Sequence, residues 1–79
     1  MQTNTDTNKH YLDYYSDWLL ALKKASLLTD MKDVQIKASA FVGILNELVA
    51  AERINTDRAS AYILEVNVRT WEKFAAFNN

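Results

Sequence analysis

The chain has 79 residues, no cysteine, no proline and one glycine, with nine basic side chains against ten acidic ones. Without cysteine there is no disulfide framework and no thiolate metal site, and the balanced charge argues against a basic nucleic-acid-binding stripe. Tight β-turns rely on glycine and proline, so their scarcity, with 49% apolar residues, points to an all-α fold: a three-helix bundle with short loops, able to dimerise through surplus apolar seams.

Residues 1–8 are polar and read as a flexible tail, with Thr7 or Asn8 placed to cap a helix beginning near Lys9. They lack the apolar stretch of a signal peptide. The most apolar run, 38–51, is interrupted by Asn46 and Glu47 and is too short to cross a bilayer. A soluble cytoplasmic protein with a single helical domain over 9–79 is the expectation, without a membrane partner.

The first segment covers about 9–28. At 100° per residue, Tyr11, Leu12, Tyr14, Tyr15, Trp18, Leu19, Ala21, Leu22 and Ala25 share one face, opposite Asp13, Ser16, Asp17, Lys23 and Lys24. Leu20 and Leu27 interrupt the polar side. Thr29-Asp30 then breaks the pattern, and Asp30 is placed as the N-cap of a second helix over about 31–53.

That second segment has a main apolar face of Val34, Ala38, Phe41, Val42, Leu45, Leu48 and Val49. On its other side runs a second series: Ile36, Ala40, Gly43, Glu47, Ala50 and Ile54. Its steps of four and three residues make a heptad seam, mostly of small side chains. A central second helix, with one seam on each neighbour, would bury both series inside a single chain.

Asn55-Thr56-Asp57 supplies the next break and a cap for a third helix over about 57–77. One stripe there is Ala59, Ile63, Val66, Phe74 and Phe77; another is Leu64, Val68, Trp71 and Ala75. Glu65 and Arg69 lie four apart in the favourable order. Residues 62–71 are rich in β-branched side chains and also alternate with a period of two, but nothing else in the chain reads as a strand to pair with them.

Catalytic chemistry is sparse. A nucleophile needs a base within hydrogen-bond reach, and of Ser16, Ser26, Ser39 and Ser60 only Ser16 has the lone histidine, His10, close in sequence. No glycine-rich phosphate loop is present. His10, Asp13 and Asp17 share a helix face and could together hold a divalent ion, but acids in a first turn are ordinary partners of the helix dipole. The expectation is therefore no enzyme, no cofactor and no metal site.

What remains is apolar surface beyond the needs of three packed helices. The candidate partner-binding residues are Leu20, Leu27, Ile36, Ala40, Gly43, Glu47, Ala50, Ile54 and Trp71. They point to a non-enzymatic protein–protein interaction module whose partner is another protein or a second copy. Its size suits an adaptor or a stoichiometric inhibitor of a larger complex, of the kind phages and mobile elements encode. The alternative is a small dimeric nucleic-acid-binding regulator that pools Lys23, Lys24 and Lys37 across two copies.

Overall fold

The computed structural model describes residues 10–78, which form a three-helix bundle: α1 (Tyr11–Lys24), α2 (Met31–Ala50) and α3 (Thr56–Asn78). A 3-10 turn, Leu28–Asp30, joins the first two helices. The expected tail, its caps Thr7 and Asn8, and Lys9 lie outside the described residues.

Local chemistry sets each helix end. At the start of α1, the His10 ring nitrogen Nδ1 accepts the Leu12 N–H at 3.1 Å, and the Asp13 carboxylate accepts the His10 N–H at 3.2 Å. This reciprocal cap satisfies two backbone donors that the helix leaves free.

The other end of α1 corrects the expected boundary at 28, because the helix stops at Lys24. The Asp30 carboxylate accepts the backbone N–H groups of Ser26 and Leu27, each at 2.9 Å. Such bonds compete with continued helix. Asp30 thus closes the turn before α2 and makes no side-chain cap to α2. Its pKa falls below the ordinary aspartate value, first through the Ser26 N–H and then the Leu27 N–H.

The second helix ends at Ala50 and not at 53. Glu52 adopts a left-handed φ of 58°, its N–H donates to Val49 O at 3.0 Å, and the Arg53 N–H donates to Leu48 O at 2.8 Å. These are the two bonds of a Schellman ending, built here without the glycine that usually marks it. Asn55 then caps α3, its side-chain oxygen accepting from Asp57 N–H at 2.8 Å and Arg58 N–H at 3.2 Å.

The helices run up, down and up. The end of α1 (Leu20, Ala21, Lys24) flanks the start of α2 (Asp33, Lys37), and the first half of α2 (Gln35, Ala38) flanks the second half of α3 (Thr70, Phe74). Trp18, Leu22, Ala25, Met31, Val34, Phe41, Leu45, Ala59 and Val66 form the shared buried core. Tyr15 bridges the layers, its ring 5.5 Å from those of Trp18, Phe41 and Tyr62. No polar or charged side chain is buried among the described residues.

Residues 62–71 are helical throughout. Tyr62, Val66 and Thr70 recur every four residues and so reach α1 from one face: Tyr62 packs on Tyr15, and Thr70 accepts the Trp18 indole N–H at 2.9 Å. A strand would have needed a paired neighbour for its backbone groups.

Candidate interaction surface

The core closes with one stripe of α3, which leaves Leu64, Val68 and Trp71 of the other stripe outside and Ala75 half-buried. Ala59, Ile63, Val66, Phe74 and Phe77 are buried or packed on the core. Turned roughly half a helical circumference away, Leu64 is 64% and Trp71 is 67% exposed, with Val68 also exposed between them. Trp71 is steadied by the ring of Phe74, stacked at 6.0 Å, so its exposed indole is presented from a fixed base.

The small-residue seam of α2 faces outward as well. Ile36 is 58% exposed, Ala40, Glu47 and Ala50 are exposed, and Gly43 is half-buried. A Cβ added at Gly43 would meet nothing within 4 Å. The seam therefore does not pack on α1 or α3, as a fully internal arrangement requires; it is the back of α2. Ile54 departs from the expected series, because α2 ends before it and its side chain packs against the core.

These two outward stripes border one continuous shallow cleft between α2 and α3. Ser39 and Asn67 stand on its opposite walls; Gln35, Thr70, Trp71 and Phe74 line one stretch, and Val42, Gly43 and Asn46 the next. None of these lining side chains is charged. Leu64 and Val68 complete the surface. Their stripe is legible in the sequence, where Trp71 is its one partner-binding candidate, but only the packing of α3 reveals which of two apolar stripes is spare.

Leu20 and Leu27 lie elsewhere. Leu20 is 53% exposed beside a second cleft between α1 and α2 that Asp17, Lys24, Asp33 and Lys37 make polar. Leu27 is 62% exposed in the turn after α1, next to exposed Leu28. The two are not joined to the α2–α3 surface.

The chain matches no protein-family model, no curated protein and no solved structure. Its function has to be read from its own surface.

The polar groups are engaged in structure. The Tyr15 hydroxyl donates to the Glu65 carboxylate at 2.6 Å, and Arg69 donates to the same oxygen at 3.2 Å while its guanidinium lies 5.6 Å from the Trp18 ring centre. Glu65 holds the proton on Tyr15 and, with partial burial, raises its pKa above the usual phenol value. His10 and Asp13 are both used in the α1 cap, and no three acidic or histidine side chains are grouped to hold a metal ion among the described residues. No described helix is long and apolar enough to cross a membrane.

Proposed function

We propose that this chain is a non-enzymatic protein–protein interaction module, an adaptor or stoichiometric inhibitor, that works through the outer face of α2 and α3. The observation that carries this reading is the exposed stripe of Leu64, Val68 and Trp71 beside an uncharged cleft, on a bundle whose core is already complete. Isolated exposed leucines are ordinary, but a contiguous apolar face with a tryptophan at its edge has the composition of an interface centre. Acting in the cytoplasm suits such a module.

Nucleic acid has less support. Lys23 and Lys24 end α1, and Lys37 pairs with Asp33 at 3.3 Å in a cleft that Lys24 shares with Asp17, so carboxylates neighbour these cations, and the exposed Trp71 lies on another cleft.

The test is affinity capture with the wild type, Trp71→Glu and Leu20→Glu, each checked by circular dichroism. Binding that is lost in Trp71→Glu, kept in Leu20→Glu and accompanied by unchanged helicity is the expected result. Equal capture by Trp71→Glu and the wild type would remove the face from consideration.

A further inference from the structure

We infer that the α2–α3 face binds a second copy of this chain, through a two-fold axis that crosses both helices at right angles at the level of Ser39 and Asn67. The inference rests on the binding reading above and names its occupant.

Both helices place paired residues symmetrically about one level of the chain. A two-fold axis across a helix lays that helix antiparallel on its own copy, so residues equally far from the axis meet. On α2, the midpoint of Ile36 and Gly43 falls between Ser39 and Ala40, and so does the midpoint of Lys32 and Glu47. On α3, the midpoint of Leu64 and Trp71 falls between Asn67 and Val68. Ser39 and Asn67 face each other across the same cleft. The two centres are therefore level, and one axis serves both helices.

Size complementarity follows from that register. Ile36 of one copy stands over Gly43 of the other, a large side chain against the single position without one. Leu64 stands over Trp71, and Val68 lies beside its own copy next to the axis. Gly43 has no reason in the isolated chain: its φ is not positive, and a Cβ would meet nothing within 4 Å. A glycine inside a helix costs about 1 kcal/mol relative to alanine. A close approach by a second copy supplies the missing reason.

Charge follows the same pattern. Along the outer face, exposed Lys32 marks the end near the start of α2, and exposed Glu47 and Asp57 mark the other end. Of the charges near by, Asp33 pairs with Lys37 toward α1, and Glu72 borders the groove between α1 and α3. The turn adds one charge of each sign, Glu52 and Arg53. The axis exchanges the ends, so Lys32 meets Glu47 of the other copy twice. A two-fold parallel to the helices would instead keep like ends together.

The face is also large enough for a reversible dimer. Two helices about 30 Å long, set 8–10 Å apart, present roughly 500–600 Å². That lies at the small end of specific interfaces, which average about 800 Å² per partner, so dissociation in the micromolar range is expected. Dimer and partner complex would compete for one surface.

The experiment is light scattering after size exclusion, with sedimentation equilibrium, from about 1 to 500 μM, a range that brackets micromolar dissociation. Mass should rise from monomer to dimer and no further. Gly43→Leu should keep full helicity, because the site is open in one chain, and weaken association by about tenfold or more, as loss of a central contact does. Lys32→Glu should weaken it by about fivefold, the scale of two exposed ion pairs, and adding Glu47→Lys should restore it. A monomer at every concentration, a higher oligomer, a folded Gly43→Leu that dimerises normally, or a charge-reversed pair that fails to recover would each overturn the inference. A strict monomer whose Trp71-dependent capture of another protein persists would overturn the second copy alone; loss of that capture as well would remove the binding reading.

Discussion

The indole N–H of fully buried Trp18 donates to the Thr70 hydroxyl at 2.9 Å, tying α1 to α3 across the core. Trp18 is the largest fully buried side chain, and this bond lets a donor sit in an apolar interior. Replacing Thr70 with valine keeps the shape and removes the acceptor. We expect Thr70→Val to cost about 1–3 kcal/mol, the penalty for an unsatisfied buried donor, and Thr70→Ser to cost much less. Urea denaturation of the two variants measures the difference; equal losses would mean that the hydroxyl is unimportant.

Two glycine exchanges should act in the same direction for opposite reasons. Glu52 holds φ at 58° in the turn after α2, a conformation that disfavours side chains by about 1–2 kcal/mol, so Glu52→Gly should stabilise by about 0.5–1 kcal/mol after the entropy of the unfolded glycine. Gly43 lies in regular helix with room for a methyl group, so Gly43→Ala should also stabilise the monomer, by about 1 kcal/mol. Thermal unfolding at low micromolar concentration reads both.

The two outward stripes and the core should respond differently to truncation. Phe41→Ala removes a fully buried ring and should cost about 3–5 kcal/mol. That equals the net stability expected of so small a chain, about 3–5 kcal/mol, so the variant should be largely unfolded at room temperature. Leu64→Ala, at an exposed position, should change stability by no more than about 0.5 kcal/mol. A large loss from Leu64→Ala in dilute solution would place that stripe inside the fold.

Stability should hold a plateau with pH and fall at both edges. Asp30 has its pKa lowered by the Ser26 and Leu27 N–H groups, so its ionised form favours the folded state. Its contribution is complete above the unfolded value of about 3.9 and is lost as pH falls through the folded value. Tyr15 has its pKa raised by Glu65, so the protonated phenol favours the fold; its contribution is complete below about 10 and is lost as pH rises. Melting temperatures across the range should show a flatter acid limb for Asp30→Asn and a flatter alkaline limb for Tyr15→Phe.

Three helices and their buried faces were legible in the sequence, because apolar residues at steps of three and four have one stable arrangement in water. Trp18, Val34, Phe41 and Val66 all lie where that spacing places them. Helix ends were less legible. Asp30 and Glu52 act through a carboxylate turned backward and a left-handed φ, and no local pattern marks either one. Surplus seams on the second and third segments were also visible, but whether they closed on neighbouring helices or faced water depended on how the bundle packed. Packing Ala59 and Val66 inward turns Leu64, Val68 and Trp71 outward, and packing Phe41 and Leu45 inward leaves Ile36 and Gly43 on the far side of α2. Periodicity determined which residues share a face; only the tertiary structure decided which of two apolar faces the core would use, because that choice rests on the fit of three helices to one another.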